Sequence, residues 1–210
     1  MTKVALFAGG PLRHYRKNFD YFVGVDAGSL FLLRNGLPLD MAVGDFDSVS
    51  AEEFSNIKER AKELIVASAD KNDTDTELAL KSVFARDAHA QVTIFGAFGG
   101  RLDHFLSNVF IPNNPDLAAF MTQIRLEDKE NILEYRPQGS HSIEKIEGMD
   151  YVSFMTDGDA DLSIYKAKFE LRPDHFFKKK IYSSNEFLKD SIEVSVNSGY
   201  ILIIHSKDWS

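Results

Sequence analysis

The first half of the chain repeats one pattern: a short, nearly unbroken apolar run, a loop carrying glycine or aspartate, then a stretch with helical spacing. The runs are Val4–Ala8, Tyr21–Val25, Met41–Val43, Leu64–Ala67 and Val92–Phe95. Continuous rather than alternating apolarity is what strands buried on both faces of a parallel sheet require. Helix starts are legible between the runs. Ser50 with Glu53, and Thr74 with Glu77, have the spacing of a capping box, in which each side chain takes up the other residue's backbone N–H. The pattern predicts an α/β domain over residues 1–118, with helices covering a parallel sheet.

After Asn113-Asn114-Pro115 the pattern changes. Partly alternating runs follow: Thr122–Leu126, Tyr151–Met155, Leu162–Phe169, Ile192–Val196 and Tyr200–Ile204. Asp157-Gly158-Asp159 and Asn197-Ser198-Gly199 separate them as turn formers. The last two runs read as a hairpin. Residues 119–210 are therefore expected to form a second domain, an antiparallel β-sandwich of about ninety residues, within the usual domain size.

Composition narrows the function classes. With 44% hydrophobic and 27% charged residues the chain reads as a soluble globular protein. A formal net charge of −8 argues against nonspecific binding to nucleic acid or to acidic membranes. A polyanionic ligand would then need divalent cations to mask the repulsion. The absence of cysteine excludes disulfides, zinc–thiolate sites and thiol nucleophiles. No run approaches the ~20 apolar residues of a membrane helix, and the first apolar run is too short for a signal peptide. A cytoplasmic protein without nucleic-acid or membrane partners is the expectation.

The aspartates fall where the strands end. Asp26 follows the second run, Asp45 and Asp47 the third, Asp73 and Asp75 the fourth, Asp103 the fifth. In an open parallel sheet these positions share the carboxyl edge, where ligands bind. Two such charges a few ångströms apart cost about 4 kcal/mol at an effective dielectric near 20, so a cation must sit among them or some must be protonated. Magnesium suits hard oxygen ligands plus substrate phosphates. Any one of these aspartates, taken alone, is also explained as a helix N-cap or turn former. Gly44-Asp45-Phe46-Asp47-Ser48 resists that reading, because extended alternation would aim Asp45 and Asp47 to the same side.

Two further segments favour phosphate. Gly96-Ala97-Phe98-Gly99-Gly100-Arg101-Leu102-Asp103-His104 offers glycines for close backbone approach and an arginine able to fork onto oxygens. It matches neither the Walker A nor the dinucleotide spacing. Lys71-Asn72-Asp73-Thr74-Asp75 sets a cation, a hydroxyl and carboxylates at a helix start.

Together, Val25-Asp26-Ala27-Gly28, Gly44 to Ser48, Lys71 to Asp75 with Glu77, and Gly99 to His104 with Asn108 resemble thiamin pyrophosphokinases in order and spacing. Ser184-Asn185-Glu186 is similar to that family's C-terminal Ser-Asn segment. The resemblance implies an α/β domain followed by a β-sandwich, a homodimer with shared active sites, and transfer of pyrophosphate from ATP to the thiamin hydroxyl, leaving AMP. Matching positions would give Asp45, Asp47 and Asp75 to magnesium, with Arg101 and Asp103 beside them as catalytic groups. Asp26, Lys71, Thr74, Gly99, Gly100, Arg101 and His104 would shape the ATP pocket; Ser184 and Asn185 would lie near thiamin. Two departures stand out: Asn72 replaces a common aspartate, and Lys166 stands where glycine is frequent. Two alternatives remain. Asp45-Phe46-Asp47-Ser48-Val49 also resembles the nucleophile loop of haloacid-dehalogenase-type phosphatases, where Asp45 would form a phosphoaspartate. A nucleotide-sensing module without turnover is the other.

Overall fold

A computed structural model describes residues 1–68 and 72–208. They form two compact units, Met1–Lys129 and Glu130–Ser210, in a mixed α/β fold.

The first unit runs β1 (Lys3–Phe7), β2 (Tyr21–Val25), α1 (Ala27–Arg34), β3 (Met41–Gly44), α2 (Ala51–Arg60), β4 (Glu63–Val66), α3 (Asp75–Arg86), β5 (Gln91–Phe95), α4 (Leu102–Val109) and β6 (Ile124–Glu127). Its strands lie in the order β4-β3-β2-β1-β5-β6, every pair parallel. The apolar runs become these strands because β1, β2, β3 and β5 are buried along nearly their whole length. Phe7 anchors the core, its ring 5.4 Å from Phe95, 5.7 Å from Phe31 and 6.4 Å from Phe22. Both capping boxes form as the spacing predicts, Ser50 with Glu53 and Thr74 with Glu77.

The chain moves outward from β1 to β4, then crosses to the other side of β1 for β5 and β6. That reversal makes a switch point between β1 and β5, the crevice in which open α/β sheets hold ligands. Helix α1 starts hard against it. A Cβ at Gly28 would lie 1.9 Å from the Phe7 carbonyl oxygen, so only glycine lets the first turn of α1 meet the end of β1.

The compact units divide after Lys129, and the apolar run ending at Leu126 joins the sheet beside β5, with Leu126 opposite Ile94. One expectation changes. The expected terminal hairpin is one long strand. The second unit comprises β7 (Asn131–Glu144), β8 (Tyr151–Thr156), β9 (Leu162–Tyr165), β10 (Ile181–Asn185) and β11 (Ser191–Ser206), all antiparallel. Both halves of β11 pair with β7, and Asn197-Ser198-Gly199 forms a bulge opposite Pro137–Gly139 instead of a reversal. Turn chemistry alone does not distinguish the two. Along the other edge of β11, β9 pairs with Glu193–Val196 and β8 with Ile201–Ser206. Side chains from these strands, among them Val152, Phe154, Ile164, Val194 and Ile203, share one buried cluster.

Lys166 takes a left-handed backbone with φ 61°. Glycine at that position would carry no such strain, which gives the departure from the family a local physical meaning.

Candidate active site

The carboxyl ends of the first unit's strands enclose a cavity of about 530 Å³, in the range of small-ligand sites. Its walls come from the Ala8-Gly9-Gly10 turn after β1, Asp26 after β2, Asp47 and Ser48 after β3, Thr74 to Thr76 at the start of α3, and the loop from Gly96 to Arg101 after β5. His104, Phe105, Ser107 and Asn108 of α4 close it. The two glycine-containing turns are laced together, Ala8 N–H donating to the Phe95 carbonyl at 2.8 Å and Gly10 N–H to that of Gly96 at 3.0 Å. Asn108 is buried and donates through Nδ2 to the Ala97 carbonyl at 3.0 Å, tying α4 to the same loop.

Three carboxylates converge at this edge. Oxygens of Asp26, Asp45 and Asp75 all lie within 4.8 Å of one another. Asp47 stands outside that trio although it lines the cavity. The reason is the backbone. Phe46 has φ 57°, a left-handed residue that breaks the alternation expected for Asp45 and Asp47, and its ring is buried 5.1 Å from that of Phe54. Asp47 N–H turns back to Asp45 Oδ1 at 3.1 Å.

Asp26 is no ordinary N-cap. It precedes α1 without a side-chain capping bond, and its Oδ1 accepts instead from Phe46 N–H at 3.3 Å. Its backbone is left-handed as well, with φ 46°. Two strained residues within the site cost of order 1–3 kcal/mol each, and such strain gathers at functional sites. Gly44 makes room for the arrangement: a Cβ there would lie 1.8 Å from Asp26 Oδ1, and its φ of 153° also favours glycine. Burial pushes the Asp26 carboxyl up to about 6, helped by the charges of Asp75, Asp45 and Asp47 and opposed by the Phe46 N–H. At 4.8 Å each ionised pair costs about 3.5 kcal/mol at an effective dielectric near 20. The donor set is all hard oxygen, and among the described residues the trio itself carries only negative charge. A magnesium ion fits it.

The other expected residues fall as follows. Thr74 caps α3 and also faces the cavity. Arg101, Gly99, Gly100 and His104 line the cavity, whereas Asp103 does not. Asp103 instead grips Arg101 through Nε at 3.1 Å and Nη2 at 2.6 Å, and this guanidinium holds the carboxyl down at about 2. Lys71 lies outside the described residues. In the second unit, Ser184 is exposed with φ 59°. Asn185 is buried and committed: Oδ1 accepts from Phe169 N–H at 3.0 Å and Glu186 N–H at 2.9 Å, and Nδ2 donates to the Phe169 carbonyl at 2.8 Å. The residues that sequence reasoning missed are Gly9 and Gly10, whose signal was a glycine pair directly after the first strand, and Ser107 on the inner face of α4.

The geometry has relatives. The family model for the thiamin pyrophosphokinase catalytic domain matches residues 12–119, and that for the thiamin pyrophosphokinase vitamin B1 binding domain matches residues 140–201. The chain belongs to the thiamin pyrophosphokinase family. It is similar to the thiamine pyrophosphokinase of Bacillus subtilis strain 168, at 32% identity over 99% of this chain and 100% of that protein. Among solved structures, a thiamin pyrophosphokinase family protein from Enterococcus faecalis is 38% identical with a TM-score of 0.91, covering 99% of this chain and 100% of that one. The crystal structure of the Bacillus subtilis thiamine pyrophosphokinase is 30% identical with a TM-score of 0.78 over 99% of this chain and 100% of that chain. The phosphatase alternative gains no support: Asp45 follows β3, two strands from the switch point, and shares its surroundings with Asp26 and Asp75. Among the described residues no helix is long and apolar enough to cross a membrane.

Proposed function

We propose that this chain transfers the terminal pyrophosphoryl group of ATP to the hydroxyl of thiamin, yielding thiamin diphosphate and AMP. The observation that carries the reading is the Asp26, Asp45 and Asp75 trio, of which Asp26 and Asp75 line the glycine-edged cavity at the sheet's switch point, in a chain of the thiamin pyrophosphokinase family. Asp26, Asp45 and Asp75 would hold magnesium, with Asp47 on the wall beside them. Bound there, the ion supplies charge neutralisation to the phosphate oxygens.

The chain's own groups do the positioning. Backbone N–H groups around Gly99-Gly100, and that of Gly9, receive phosphate oxygens. Arg101 exchanges Asp103 for the polyphosphate, onto which it forks, and Thr74 and His104 lie along the same wall. In the transfer the thiamin oxygen bonds to the β-phosphorus while the bond from that phosphorus to the oxygen bridging to the α-phosphate breaks. The hydroxyl proton passes to solvent, and AMP leaves with the bridging oxygen. Such a transfer rests on positioning and charge neutralisation, not on covalent chemistry by the protein.

The second unit supplies the thiamin side, acting as a β-sandwich with Ser184 toward the ligand and Asn185 bracing the strand beneath it. A cytoplasmic homodimer completes each site with a partner's Ser184 segment. The match of the vitamin B1 binding domain to residues 140–201 supports this division of labour. Incubation with ATP, magnesium and thiamin, followed by chromatography of the nucleotides, tests the reaction. AMP formed in step with thiamin diphosphate is expected; ADP as the stoichiometric product overturns the assignment.

A further inference from the structure

Asp75 opens α3, and the residues on either side of it are anchored elsewhere in the first unit. On one side Asp73 accepts from Lys81 Nζ through both oxygens, at 2.8 and 2.9 Å, and from Asn114 Nδ2 at 3.0 Å. On the other, Glu77 receives Thr74 N–H at Oε2 and Asn114 Nδ2 at Oε1, at 2.8 and 3.0 Å. One neutral amide thus bridges the two carboxylates that bracket Thr74-Asp75. Lys81 extends the net to Asp116 Oδ2 at 2.7 Å, and Asp116 N–H returns to Asn114 Oδ1 at 3.1 Å. Neither Lys81 nor Asn114 lines the cavity.

A purely stabilising role accounts poorly for this net. The helix start is already capped by Thr74 and Glu77, and the Lys81 pairs keep contact with solvent, with Asp116 69% exposed, where ion pairs contribute little to stability. What the net does determine is the path of residues 73 to 77, and with it the place of the Asp75 carboxyl relative to Asp26 and Asp45. Groups that orient a metal ligand from behind typically alter metal affinity or activity ten- to a hundredfold when removed, on the order of other metal sites.

The geometry points to Lys81 and Asn114 as positioning residues, which fix Asp75 within reach of Asp26 and Asp45 by holding Asp73 and Glu77. The inference rests on reading that trio as the metal site. Lys81 keeps the loop after Asn113 and the start of α3 in register, while Asn114 spaces two like charges that would otherwise part. Loss of either lets the Thr74-Asp75 turn drift without exposing core.

The test uses the full chain and Mn²⁺ as the probe, with free Mn²⁺ read by electron paramagnetic resonance. The variants are Asn114→Ala, Lys81→Met, which retains the apolar stem, and Lys81→Arg, which retains the charge. Thr2→Val is the control. It breaks the 2.6 Å bond from Thr2 Oγ1 to Asp87 at the opposite, amino end of the sheet. The Mn²⁺ dissociation constant should rise roughly ten- to hundredfold in Asn114→Ala and Lys81→Met, recover in part in Lys81→Arg, and stay within about twofold in Thr2→Val at an equal loss of melting temperature. The magnesium concentration for half-maximal AMP formation should move in parallel. Folded Asn114→Ala and Lys81→Met chains that bind Mn²⁺ within about twofold of the parent would overturn the inference, as would an equal loss in Thr2→Val. Mn²⁺ binding that survives both Asp26→Asn and Asp75→Asn overturns the metal reading itself, and this inference with it.

Discussion

Replacing Asp26 by asparagine should make the metal-free protein more stable at neutral pH while disabling the reaction. The change is isosteric, and the new Oδ1 still accepts from Phe46 N–H. The carboxyl titrates near 3.8 in the unfolded chain and near 6 in the folded one, chiefly through burial and the charge of Asp75. A raised folded value means that the native state holds the proton more tightly. Its favourable contribution is fully present below about pH 4, is lost as pH rises through about 6, and is gone above that. A rise of that size is worth about 3 kcal/mol at full value. With Asp26 partly open to solvent, screening reduces this to roughly 1–2 kcal/mol. Urea unfolding in EDTA at a series of pH values from about 4.5 to about 8, parent beside variant, measures the difference. It should be about a third of its full size at the lowest pH and grow to roughly 1–2 kcal/mol in favour of asparagine by about pH 7. Millimolar magnesium should reverse the order, since only the parent gains the linkage energy of a complete site. A variant less stable than the parent at neutral pH in EDTA, or a difference that ignores pH, refutes the electrostatic account of the trio.

Three other substitutions probe separate parts of the structure. Lys166→Gly should raise stability by about 0.5–1 kcal/mol in thermal melts, because it relieves the left-handed backbone at a cost of one exposed ion pair to Glu193. Asn185→Ala should lower stability by about 2–3 kcal/mol in urea unfolding, since three backbone groups of Phe169 and Glu186 lose their partner; unchanged stability would release Asn185 for a ligand-facing role. Mixing an Asp26→Asn chain with a Ser184→Tyr chain, each inactive alone, should restore activity after subunit exchange if sites are shared across a dimer, and should restore none if each site lies within one chain.

Much of the first unit was legible because its strands are buried on both faces, so apolar runs mark them with little ambiguity. The capping boxes were equally plain, since the bonds they form span three residues of local chain. In the second unit the same reasoning misread β11 and overlooked β7. The segment Arg136 to Ser140 carries no apolar signal and is a strand only because β11 pairs with it. Asn197-Ser198-Gly199 has the composition of a turn, yet its role as a bulge depends on both flanks sharing that one partner.

The candidate site divides along the same line. Residue order alone settles which residue types stand at the strand ends: aspartates after β2, β3 and β4, and glycines with Arg101 after β5. Strand ends of a parallel sheet must share one edge, so their convergence follows from order alone. Which carboxylates meet was decided only in three dimensions. Left-handed residues at Asp26 and Phe46 swing Asp26 into the trio and leave Asp47 on the cavity wall, and the space at Gly44 admits the Asp26 carboxyl. The commitment of Asn185 to Phe169, sixteen residues away, is likewise tertiary. Periodicity and spacing report on neighbours along the chain, whereas a backbone reversal at a single residue redirects a side chain by several ångströms and leaves no periodic trace.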